Sequence, residues 1–253
     1  MDYQKITFPD NFEYSSDGDD IPLDFYLDVL PCSKEIYLKL GYFSSKAIQV
    51  LAYGFAQFIH NGGRLKIVTI HFLYENDIDL LEVSSEQLEE RLNERFFRDL
   101  SWIRDSLLGT TQHFMDCLRF LVANGRLEIV PVLLLPSRMA HYKQGVFIDG
   151  SNNSIFIEGS CNFTANGLLE NAESLSIYRS WGTDFEKNKI NGKKQEIAKI
   201  VSKENEDYKY LISDHILNAV DSIGRDKSVV ELLHSELDLL RKNTYKEKIK
   251  ETL

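Results

Sequence analysis

The chain has 253 residues, 43% of them hydrophobic and 27% charged, and a formal net charge of −10. That length can bury a full core, and the composition is that of an ordinary globular protein. No apolar run approaches the roughly 20 residues of a membrane span. The polar, acidic start MDYQKITFPDNFEY lacks the apolar stretch of a secretory signal, so a cytoplasmic protein with no membrane partner is expected. Cys32, Cys117 and Cys161 are scattered and odd in number, and they form neither a disulfide framework nor a metal-ligand pair.

The charge is unevenly spread. Asp2, Asp10, Glu13, Asp17, Asp19, Asp20, Asp24 and Asp28 oppose only Lys5 in the first thirty residues. Residues 1–30 therefore read as an acidic N-terminal arm, packing through Phe8, Phe12 and Tyr14. Glu35 to Phe43 reads as a buried strand. Ser44 or Ser45 then caps a helix that stops near Asn61-Gly62-Gly63. Arg64 to Ile70 reads as a second strand, so this strand–helix–strand unit predicts a parallel pair with a right-handed crossover. Residues 77–124 carry a helical pattern broken near Gly109, and Leu127 to Leu135 is a further buried strand whose Pro131 marks an edge or a bulge.

Next comes HYKQGVFIDGSNNSIFIEGSCNFTANGLLENAE, residues 141–173. Alternate side chains of a strand share one face. His141 and Lys143 are two apart, as are Ser160 and Asn162. Adjacent strands of this kind present an imidazole, an ammonium, a hydroxyl and a carboxamide to one small volume, which suits a phosphodiester. The imidazole can attack phosphorus, and the cation and neutral donors hold the charge that develops on the phosphoryl oxygens. Glu173 can set the His tautomer by accepting from the far ring nitrogen. Asp149-Gly150 is equally the opening of a hairpin turn continued by Ser151-Asn152-Asn153.

Ser174 to Tyr178 reads as a last strand. Beyond Trp181 the pattern is helical with no strand signal, which gives a helical extension over 183–253. There Lys187, Lys189, Lys193, Lys194, Lys199 and Lys203 oppose only Glu196. Such a cluster can meet phosphates or form a solvated helix face.

The stretch resembles the HKD motif of the phospholipase D superfamily, H-x-K-x4-D followed by G-S-x-N. His141, Lys143, Gly159, Ser160 and Asn162 match it, and Glu173 lies where bacterial nucleases of the superfamily carry an acid that contacts the histidine. The similarity is closer to the nuclease-like domains associated with superfamily 2 DNA helicases and restriction systems. The run HYKQGVF, the later Asn171-Ala172-Glu173-Ser174 and the pair Ser180-Trp181 carry it. Five residues rather than four separate Lys143 from Asp149, which places Asp149 on the face opposite to the usual one unless a bulge intervenes.

The resemblance implies an α/β fold, a mixed β-sheet flanked by helices, in a phospholipase D-like domain over 31–182. It implies catalysis by His141, Lys143, Asn162, Ser160, Glu173 and Asp149 through a phosphohistidine, with no metal and no cofactor. The mechanism needs two HxK elements, and this sequence has one, so a homodimer sharing one site is expected. The expected substrate is nucleic acid, DNA before RNA, with a fused or separate helicase or ATPase as partner in a restriction or phage-defence system. A phospholipid phosphodiesterase or phosphatidyl transferase and a non-catalytic dimerisation module are the alternatives.

Overall fold

A computed structural model describes residues 2–15, 17–40, 52–71, 109–134, 143–159 and 174–252. Their strands form one mixed sheet. They are β1 (Glu13–Ser15), β2 (Ser33–Leu40), β3 (Arg64–His71), β4 (Leu127–Leu134), β5 (Lys143–Asp149), β6 (Ser154–Gly159), β7 (Ser174–Arg179) and β8 (Tyr208–Tyr210), in the order β1-β7-β6-β5-β2-β3-β4-β8. β2, β3 and β4 run parallel, as the predicted crossover requires, and β5, β6 and β7 are antiparallel to their neighbours. The expected mixed sheet flanked by helices is therefore present.

Strand alternation divides the core in two. On one face Ile36, Leu38, Ile67, Phe147, Ile155, Ile157 and Ile177 pack under α1 (Pro22–Val29), α2 (Phe55–His60), α3 (Gly109–Ala123), α5 (Asp214–Ile223) and α6 (Val229–Thr252). On the other face Val68, Val132, Val146, Ile148 and Phe156 meet Ile190, Ile197 and Ile200 of α4 (Asp184–Val201). α2 stops where the sequence predicted: Gly62 has φ +81°, which suits glycine. None of the described helices is long and apolar enough to cross a membrane.

Three expectations change. Residues 1–30 are built into the sheet domain: they supply β1 and α1 and bury Tyr3, Tyr14, Phe25 and Tyr26. The acids on this segment stay on its outer side while the aromatics face inward. The segment 183–253 is not a separate extension, since α4 is the second covering layer and α5 and α6 complete the first. It also holds a strand: Tyr-Lys-Tyr is too short to display alternation, and β8 exists because it pairs with the open side of β4 over Val132–Leu134. Pro131 sits where that ladder ends, its carbonyl accepting from Leu211 N at 3.0 Å. The predicted start of the first helix at Ser44 or Ser45, and the helical pattern of 77–108, lie outside the described residues.

Buried polar groups tie the layers. Thr183 and Glu186 cap α4 reciprocally, and Glu186 Oε1 also accepts from Arg179 N at 3.1 Å, joining the end of β7 to the helix. Asp116, buried on α3, accepts from Gln112 Nε2, Arg225 N and Arg225 Nη2, each at 2.8 Å, and Lys227 Nζ lies 3.2 Å away. Burial works to raise the pKa of Asp116, but Arg225, Gln112 and Lys227 outweigh it and hold the carboxyl below its usual range. A depressed carboxylate stabilises the fold above its unfolded pKa, and that contribution is lost as pH falls through the folded value. Asp116→Asn should cost about 2 kcal/mol at neutral pH. The gap to the wild type should close on acidification below about pH 4, as followed by urea unfolding at a series of pH values.

Candidate active site

The sheet topology gathers one set of strand ends. β2, β3 and β4 finish at Leu40, His71 and Leu134; β6 finishes at Gly159; β5 and β7, running the other way, begin at Lys143 and Ser174. All six ends lie on the same edge of the sheet. Leu40 pairs directly with Lys143, Gln144 with Glu158, and Gly159 with Leu175.

Lys143 is half-buried, the first residue of β5, on the same face as Gly145 and Phe147. His141, Ser160, Asn162 and Glu173 lie outside the described residues, as do Arg138 and the Gly41–Ser45 turn. Of the motif positions that the structure describes, Lys143 and Gly159 lie at the gathered edge and Asp149 does not.

Asp149 is at the other end of β5, about 20 Å away at strand rise. β5 pairs with β6 without interruption, and the only irregularity beside it is in β2, between Ser33 and Glu35. No bulge in β5 returns Asp149 toward Lys143. Its carboxylate is 3% exposed as a residue and fully engaged by donors. Oδ1 accepts from Ser151 N (2.9 Å) and Asn153 N (2.8 Å), while Oδ2 accepts from Asn153 Nδ2 (2.9 Å) and Tyr3 N (2.9 Å). Asn152, with φ +66°, completes the turn. The expectation that Asp149 joins the catalytic set is therefore corrected: it builds the β5–β6 hairpin and anchors the N-terminus.

Gly159 has a structural reason as well. A Cβ there would run into the carbonyl oxygen of Ser174 on β7, so only glycine lets β6 and β7 approach as they leave the edge. The glycine of the G-S-x-N element is thereby explained by backbone packing.

The sequence missed the groups behind the edge. On the face opposite Lys143, Lys39, Gln144 and Glu158 form a row across β2, β5 and β6. α4 closes over it. Lys39 is ion-paired with Glu196, which also accepts from Lys193 Nζ at 2.8 Å; Lys189 pairs with Glu158, and Glu158 accepts from Tyr178 Oη at 3.0 Å. Burial pulls the Lys39 pKa down, but Glu196 and Tyr208 outweigh it and hold it above the usual lysine value. Burial likewise works to raise the Glu196 pKa, and Lys193 and Lys39 bring it below the usual range. A charged residue inside the apolar run Ile36-Tyr37-Leu38-Lys39-Leu40 was the available signal, since buried lysines require partners. Among the described residues, no three His, Cys, Asp or Glu side chains gather as a metal site would.

No family model matches the chain. No curated protein matches it either. Among solved structures, it is similar to a phospholipase D family member, Nuc, from Salmonella typhimurium, at 11% identity and a TM-score of 0.42, over 79% of this chain and 95% of that one. It is similar to NucT from Helicobacter pylori at 14% identity and a TM-score of 0.38, over 71% of this chain and 87% of that one. It is similar to phosphatidylserine synthase from Haemophilus influenzae at 15% identity and a TM-score of 0.45, over 95% of this chain and 46% of that one.

The two roles assigned to hairpin and backbone give separable outcomes. Asp149→Ala should destabilise the fold by about 3 kcal/mol, because buried N–H groups lose their acceptor. Gly159→Ala should cost about 2 kcal/mol or more from backbone strain. Urea unfolding measures both. Asp149→Ala should keep its turnover per folded molecule, whereas loss of turnover with unchanged stability would return Asp149 to the chemistry.

Proposed function

We propose that the chain is a metal-independent phosphodiesterase, a DNA endonuclease module that acts through a phosphohistidine at a site completed by a second copy. The observation that carries this reading is the shared edge. β5 begins at Lys143, β6 ends at Gly159 and β7 begins at Ser174 on one edge of the sheet, with Lys143 beside Leu40, and this supports the reading.

In this reading His141 attacks phosphorus, and Lys143, Ser160 and Asn162 hold the non-bridging oxygens as charge builds on them. Glu173 holds the far nitrogen of the His141 ring. His141 of the partner subunit gives a proton to the leaving oxygen, then takes one from the water that opens the phosphohistidine. Two copies are required because H-x-K occurs once in the sequence. Nucleic acid rather than lipid follows from the nuclease-like form of the motif. The net charge of −10 fits a cutting module whose DNA is held by a helicase or ATPase partner in a restriction or phage-defence system.

Purified chain is incubated with plasmid, single-stranded DNA and RNA in EDTA, beside His141→Ala. Cleavage should survive chelation and fall at least about a thousandfold in the variant, as removal of a nucleophile requires. Reactions quenched in alkaline denaturant, where the P–N bond survives, should contain a phosphoramidate on His141, and light scattering should give a dimer. A strict monomer that still cleaves would remove the shared site, and phospholipid turnover without nucleic-acid cleavage would replace DNA by lipid.

A further inference from the structure

One flank of α4 faces the gathered edge. β6 gives the orientation: Glu158, next to the edge, is paired with Lys189, while Ser154 at the far end of the same strand accepts from Lys194 Nζ at 3.3 Å. The edge-facing flank holds Phe185, Lys189, Lys193 and Glu196. The first three are spaced i, i+4, i+8, so they form one row on the helix, about 12 Å long from Phe185 to Lys193.

The row is cationic and aromatic. Lys39, Lys189 and Lys193 face Glu158 and Glu196, three positive charges against two negative. Lys39 is 1% exposed and Glu196 neutralises it, so the surplus charge rests on the more accessible Lys193, whose side chain is 27% exposed. Lys189 Nζ lies 3.8 Å above the Tyr178 ring. Phe185, 68% exposed, is the most exposed large apolar side chain among the described residues; its ring stands 6.3 Å from that of Tyr178 and contributes nothing to either core. Glu13, exposed on β1 opposite Ser176, bounds the row with negative charge on that side.

An exposed ring in line with two ammonium groups is how a protein holds a single strand: bases stack on the ring and the backbone follows the cations. Resting on the nuclease reading above, we infer that the Phe185–Lys189–Lys193 row is a track for single-stranded nucleic acid leading to the catalytic edge. A base stacks on Phe185, and a phosphate contacts Lys193 nearer the edge. The remaining lysines of the sequence cluster do not share this row. Lys187 pairs with Asp184 on another side of the helix.

Fluorescence anisotropy with a labelled oligothymidylate tests the track on the intact chain. Phe185→Ala should weaken binding about fivefold or more, the effect of losing one stacked base. Its urea midpoint should equal that of the wild type, since the ring is exposed. Lys193→Gln should lower the slope of log affinity against log salt by about 0.7, one single-strand phosphate contact. Lys187→Gln should bind like the wild type. A blunt duplex, whose bases already stack on one another, should be insensitive to Phe185→Ala.

Wild-type affinity in both Phe185→Ala and Lys193→Gln would overturn the track. So would an equal loss on duplex, or a wild-type chain that prefers anionic vesicles to the oligonucleotide. Turnover of bis(p-nitrophenyl) phosphate by the wild type reads the catalytic proposal separately. A chain that leaves this diester intact, yet loses strand binding in Phe185→Ala, would keep the track and sink the chemistry.

Discussion

The pairing of Leu40 with Lys143 is the constraint from which the site follows. Parallel strands all finish at one edge of a sheet. An antiparallel strand inserted beside them starts at that edge. β5 is such a strand, so its first residues face the last residues of β2. β6 then returns to the same edge and β7 departs from it. Four connections are thereby attached to one side of the sheet, and the H-x-K, G-S-x-N and glutamate positions belong to two of them. Residues far apart in sequence are brought to a common edge by strand direction alone.

The opposite edge is organised by a different carboxylate. Asp149 closes the β5–β6 turn and accepts from Tyr3 N, while Asn153 Nδ2 donates to Asp2 Oδ1 at 2.9 Å. Tyr3 Oη lies 2.7 Å from Ser33 Oγ, and Ser33 donates to Val29 O at 2.8 Å. The N-terminal segment is thereby fastened to the start of β2 and the turn of β5 together. One strand carries a motif lysine at one end and a structural aspartate at the other. The extra residue between them matters little, because the aspartate answers to the turn.

The long strands were legible because β2 to β6 are runs of buried, mostly β-branched or aromatic residues bounded by turn formers. Of the H-x-K element only Lys143 falls within the described residues, as the first residue of β5. Other features were not legible. β1 and β8 are three residues each, too short for a pattern, and their pairing comes from open strand sides elsewhere in the chain. The acidic composition of residues 1–30 masked α1 and the burial of Tyr3, Phe25 and Tyr26, whereas packing through Tyr14 was read. The polar row behind β5 was hidden by distance: Lys39 meets Glu196, 157 residues on, and Lys189 meets Glu158, 31 residues back. Asp149 stood open between two readings, because spacing fixes the face of a strand and leaves open which end a turn residue serves.

The pair of buried Lys39 and half-buried Glu196 needs its own explanation, since an apolar residue would commonly be at least as stable in the place of Lys39. What an ion pair adds is a single geometry. Lys39 is the residue before Leu40, and its partner in β5 is Gln144, the residue after Lys143. Holding its ammonium on Glu196 fixes the last turn of side chains on β2 against α4, and the same carboxylate holds Lys193 on the outer flank of that helix. Glu158 does the equivalent for β6, one residue before Gly159, through Lys189 and Tyr178. β2 and β6 are therefore each fixed, one residue before the strand ends, to the helix that carries the exposed ring and cations. A sliding apolar contact would leave the edge and the helix free to shift against each other, and the in-line chemistry at phosphorus proposed above depends on their alignment.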